Sequence, residues 1–139
     1  LVYKENQKVV FAVSDAIDGE FRMLSNDVYG WYENYQYLAL QDGMYLLGTN
    51  RPHLPVLMKM NGDPEDDASW ASFRPVLRLI PPRQAFNTNE RANAASIFRY
   101  RGEYYLLYAG RTQSRTHLGR GDNKLGAAKS ITLDEWDVL

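Results

Sequence analysis

The same succession of short strand-like runs occurs twice in this chain, about sixty residues apart, and this repeat limits the fold more than any single motif. In the first copy, large and small side chains alternate over residues 36–40. Asp42-Gly43 is a hairpin turn signal, and residues 44–47 read as the returning strand. A third strand over 56–60, Trp70 and an outer strand over 73–79 complete the copy. The second copy has strands over 94–100, 103–109 and 125–130, with a turn at Arg101-Gly102, then Trp136 and a stub at 137–139. Aligned on their glycines, 43–47 falls on 102–106, which puts Ala92 at the place of Glu33, and the run ending at Trp70 falls on the run ending at Trp136. The opening segment, strand-like over 8–14 and again over 20–24, matches the close of a copy.

Four antiparallel strands closed by an aromatic residue describe one blade of a β-propeller. No apolar stripe at helical spacing persists for three turns, so an all-β chain is expected. The division is residues 1–24, the end of one blade, then 25–80 and 81–139, one blade each. Every blade buries its faces against the next. Two and a half blades cannot close a ring, so the chain is expected to be part of a longer one. Its partners would be the remaining blades of the same propeller. The start, Leu1-Val2-Tyr3-Lys4, has the form of neither a signal peptide nor an initiator.

Composition narrows the function. A formal net charge of −1 argues against nucleic acid and against a basic membrane face, and no apolar run approaches a membrane span. There are no cysteines, so neither disulfides nor a thiolate metal site can form. His53 and His117 are far apart and lack ligand spacing, so no metal and no cofactor are expected. The acidic run Glu65-Asp66-Asp67 lacks the alternation of a calcium loop and reads as solvated loop. The 10 tyrosines suit strands and also suit stacking on sugars.

One carboxylate stands out. Glu33 lies just before the first strand of a copy, among Trp31, Tyr32 and Tyr35. It is either an ordinary loop group or the acid of a carbohydrate site, in which aromatic faces stack on sugar C–H surfaces and low dielectric raises the acid's pKa. In the second copy, Arg91 and Asn93 flank Ala92. They either face the axial pocket and bind substrate hydroxyls or satisfy loop backbone groups. Glu90 is the next acid, two positions out of register. The basic residues of the 111–124 loop either line a cleft toward an anionic sugar or are solvated, and solvation is the expectation.

Two stretches carry a resemblance. Residues 12–21 (AVSDAIDGEF) and 127–136 (AAKSITLDEW) resemble the A-x-S-x-(S/D)-L-x-x-W strand and turn of five-bladed propellers in glycoside hydrolase families 43 and 32, the arabinanase, levansucrase and invertase group. Glu33, followed ten residues later by Gly43 and then Tyr45-Leu46-Leu47, is similar to that group's acid-bearing segment, with Asn34-Tyr35 where the group often has Gly-Pro or Cys-Pro. The resemblance implies a glycosidase with three acids around the axis, one on each of three successive blades. Glu33 would be the proton donor, and both partner aspartates would lie before Leu1. Cleavage then needs one protonated acid at the leaving oxygen and one ionised carboxylate across the sugar. A propeller that binds carbohydrate without cleaving it is the alternative. A WD or kelch interaction propeller lacks its signature pairs here.

Overall fold

The computed structural model describes residues 2–5, 8–25, 33–50, 54–87, 92–111 and 124–139, with the backbone alone for 2–5, 8, 9, 25, 33 and 94. Among the described residues eleven strands form three antiparallel sheets. The first contains β1 (Val2–Glu5), β2 (Lys8–Val13) and β3 (Arg22–Ser25) in that order. The second runs β4 (Glu33–Leu40), β5 (Gly43–Asn50), β6 (Leu54–Lys59) and β7 (Arg74–Arg78). The third runs β8 (Asn93–Tyr100), β9 (Glu103–Gly110), β10 (Lys124–Ser130) and β11 (Asp137–Val138). Among the described residues the one helical element is a 3₁₀ turn, Asp67–Ala71. The architecture is all-β, as expected, and its two complete sheets are four-stranded meanders. β1 is a strand that the sequence did not announce.

Period-two alternation explains why the sheets stack. On the middle sheet, Leu46, Val56 and Met58 point into a cluster shared with Phe11 of the first sheet. The intervening Tyr45, Leu47 and Leu57 point into a second cluster, shared with Ile97, Leu106, Tyr108 and Ala128 of the third sheet. The middle sheet is therefore buried on both faces. The third sheet buries one face and leaves the other open, with Phe98 46 % and Leu125 76 % exposed.

Trp70 and Trp136 do the same job. Each lies between the third and fourth strands of its sheet and donates its indole N–H to a loop carbonyl, Trp70 to Pro64 at 3.0 Å and Trp136 to Leu133 at 2.9 Å. Each packs into the cluster shared with the preceding sheet. Trp70 meets Phe11 at a ring-centroid distance of 5.5 Å and Tyr37, edge-on, at 5.6 Å. The two serine signatures are also equivalent. Ser14 Oγ accepts from the Ala16 N–H at 3.4 Å, and Ser130 Oγ accepts from the N–H groups of Thr132 and Leu133 at 3.2 and 3.0 Å. A serine here closes the turn that leads into the last strand of its sheet.

The acidic run is more than solvated loop. Asp66 Oδ1 accepts from the Ala68 N–H at 3.0 Å and caps the 3₁₀ turn, while Asp67 pairs with Arg22 of the first sheet. A guanidinium whose pKa is raised by the Asp67 hydrogen bond thus ties the first sheet to the second at the surface.

Candidate functional site

The site is built where β4 and β8, the first strands of their sheets, lie side by side. Their hairpins have one register. Leu40 pairs with Gly43 across the turn Gln41-Asp42, and Tyr100 pairs with Glu103 across Arg101-Gly102. Tyr45-Leu46-Leu47 therefore falls on Tyr105-Leu106-Leu107, one position away from the alignment on glycines. The reason is that the two glycines serve different needs. Arg101 (φ 49°) and Gly102 (φ 88°) are the two left-handed central residues of a tight turn, whereas Gly43 (φ 139°) is already the first residue of β5.

This register corrects the site. Glu33 heads β4 and pairs with Thr49; Asn93 heads β8 and pairs with Ala109. The counterpart of Glu33 is thus Asn93. Ala92 is fully buried in the cluster between the second and third sheets. Glu33 lies within the strand instead of before it. Its side chain lies outside the described residues, as do Trp31, Tyr32, Glu90, Arg91 and His53.

Both strands bulge directly after these residues. The pairing shifts between Glu33 and Gln36 and between Asn93 and Ser96, so two residues oppose one on the partner strand. In β4 the bulge puts Asn34 at φ 57°, a left-handed conformation that Asn adopts more readily than most residues. Its Nδ2 lies 3.5 Å from Asn93 Oδ1, which accepts the hydrogen bond. Two residues further on, Gln36 Nε2 donates to the Ile97 carbonyl at 2.6 Å and Gln36 Oε1 accepts from the Ile97 N–H at 2.8 Å. Tyr35 packs against the cluster shared with the first sheet, so its ring serves the core more than an open pocket.

Sequence reasoning missed three neighbours. Thr49, 4 % exposed, and Asn50 end β5 beside Glu33, and their Oγ1 and Oδ1 atoms are buried without a hydrogen-bond partner among the described residues. An unmet buried polar group costs about 1–3 kcal/mol. The equivalent third-sheet residues are Ala109 and Gly110, so the pair is particular to the sheet that carries Glu33. A polar Thr-Asn in one copy against Ala-Gly in the other was the available signal. Arg111, 6 % exposed, is the third neighbour, and its burial corrects the expectation of a solvated side chain. Its backbone N–H donates to Oδ1 of the fully buried Asn87 at 3.2 Å. Gly110 must be glycine there, because a Cβ would come within 2.8 Å of Asn87 Cγ and Phe86 Cε2.

The connection between second and third strands leaves from this same end. It takes residues 51–53 in the second sheet and 111–123 in the third. No cluster of three His, Cys, Asp or Glu suited to a metal occurs among the described residues.

The opposite, hairpin end carries a repeated group. Asp42 accepts from Lys59 Nζ at 2.7 Å and from Tyr45 Oη at 2.8 Å. Glu103 accepts from Lys129 Nζ at 2.9 Å and from Tyr105 Oη at 3.1 Å. The lysine hydrogen bond, followed by the tyrosine one, holds each carboxyl below its ordinary range.

No protein-family model matches the chain, and no curated protein matches it. Solved structures do. The GH43B protein of the Bacteroides ovatus xyloglucan PUL superposes with a TM-score of 0.64 and 18 % identity, over 96 % of this chain and 23 % of that one. The α-L-arabinofuranosidase CtGH43 from Clostridium thermocellum does so with a TM-score of 0.53 and 18 % identity, over 99 % of this chain and 49 % of that one. The fold is that of glycoside hydrolase family 43-like five-bladed propellers, of which the three sheets form a part. The chain spans about a quarter and about half of the two proteins.

Proposed function

We propose that these sheets belong to a glycoside hydrolase that cleaves a glycan or oligosaccharide by acid-assisted hydrolysis, with Glu33 as proton donor. One observation carries the reading. Glu33 heads a bulged first strand, on the rung equivalent to Asn93, at the end where the two first strands are joined. A bulge is a common device for aiming a side chain at a site. Trp31 and Tyr32 would stack on the sugar, and Asn93 and Arg91 would bind its hydroxyls. Tyr35 keeps a packing role. The partner carboxylates come from other blades.

A propeller that binds sugar without cleaving it is the second reading. It is favoured by Asn34-Tyr35 following Glu33, where the resembling hydrolases often carry Gly-Pro or Cys-Pro.

The test is Glu33→Gln in the intact protein, assayed on arabinose-containing and xyloglucan-derived oligosaccharides, the sugars named for the structural neighbours. Loss of general-acid assistance should slow cleavage of a natural glycoside about 10²–10⁴-fold. Aryl glycosides with good leaving groups should suffer far less. Unchanged cleavage of the natural glycoside removes Glu33 from the mechanism, and sugar binding without turnover in the wild type selects the second reading.

A further inference from the structure

The hairpin end, remote from Glu33, holds a groove of about 380 Å³ between β4 and β8. Such a volume suits a small ligand. Leu38, Leu40 and Ile97 give it apolar walls, and Arg99 and Tyr104 stand at one side. The Arg99 guanidinium lies over the Tyr104 ring, 5.5 Å from its centroid. Stacking holds a guanidinium in place and leaves its in-plane N–H donors free for a planar acceptor.

Charge at this end is unevenly met. Asp42 and Glu103 are each occupied by a lysine and a tyrosine. Arg99 has no carboxylate partner among the described residues, and neither does Arg101, which lies over the Tyr100 ring at 5.1 Å. The groove thus combines apolar walls with one positioned cation that meets no carboxylate among the described residues.

We propose that this groove is a second binding site, for a monocarboxylate with a flat apolar body. The carboxylate would take the Arg99 fork in two parallel hydrogen bonds, and the body would lie against Leu38, Leu40 and Ile97. A simple inorganic anion would leave the apolar walls unused, and a neutral isostere would leave the guanidinium unmet.

The test is a titration of the intact protein with benzoate, followed by calorimetry and by NMR shifts of the Leu38 and Ile97 methyls. Saturable binding is expected, with a Kd on the order of 1 mM, as befits a ligand of so few atoms. Benzamide and inorganic phosphate should each bind at least about tenfold more weakly, and Arg99→Met should weaken benzoate binding by a similar factor with an unchanged melting temperature. Arg99→Lys, which keeps the charge and loses the fork, should fall between. Absence of saturable benzoate binding overturns the proposal. Equal binding of benzamide or phosphate, or full affinity in Arg99→Met, does so as well.

Discussion

The Gln36 side chain acts as a backbone edge for Ile97, giving one hydrogen bond and accepting another across 61 residues of sequence. The contact ties the first strands of two sheets whose backbones do not pair. Gln36→Leu keeps the bulk and strands the Ile97 N–H and C=O, so it should destabilise the protein by about 2–4 kcal/mol. Gln36→Glu keeps the acceptor and loses the donor, and should fall between. Urea denaturation of both variants checks this, and equal stability of Gln36→Leu and wild type would show that the pair contributes nothing.

Glycines 126 and 102 should respond differently to alanine. A Cβ at Gly126 would enter the space of the Tyr108 ring, and overpacking of that kind costs about 1–3 kcal/mol. At Gly102 nothing lies within 4 Å of a Cβ, so the cost is the left-handed backbone alone, about 1–2 kcal/mol. The crystal structure of Gly126→Ala should show the Tyr108 ring displaced, and that of Gly102→Ala should show no side chain moved.

The carboxylate–tyrosine–lysine groups predict a pH profile. Asp42 and Glu103 are held below their ordinary values of 3.8 and 4.5, so their contribution is present above those values and lost as pH falls through the lowered ones. Lys59 and Lys129 are held above 10.5, so theirs is present below that value and lost as pH rises through the raised ones. Thermal melts should be flat in between and fall at both extremes. Asp42→Asn with Glu103→Gln should blunt the acid fall; an unaltered acid limb would show that the decline has another source.

Thr49→Val removes a buried hydroxyl that has no partner among the described residues and keeps the side-chain shape. It should raise stability by about 1 kcal/mol, the reverse of the usual result for a buried polar residue. Denaturant midpoints measured without sugar test this, and a loss of stability would mean that the hydroxyl is satisfied in solution.

The strands, their order and the repeat were legible because period-two alternation and Gly-containing turns are local signals. The register was not. Gly43 and Gly102 look alike in sequence and occupy different turn positions, and only the pairing of Leu40 with Gly43 and of Tyr100 with Glu103 separates them. That one-residue difference moved the counterpart of Glu33 from Ala92 to Asn93. β1 escaped notice because residues 2–5 carry no distinctive pattern. The burial of Arg111 and the unmet groups of Thr49 and Asn50 arise from contacts between strands, which no single stretch of sequence displays.

The hairpins of the second and third sheets match residue for residue, whereas the connection to the third strand grows from three residues to thirteen. All the extra length is added at the end that holds Glu33 and Asn93. Length at that end can therefore change while the ladders keep their register. Grafting a foreign segment between Arg111 and Lys124 would change the chain at that end and leave every described strand, and the Arg111–Asn87 hydrogen bond, in place.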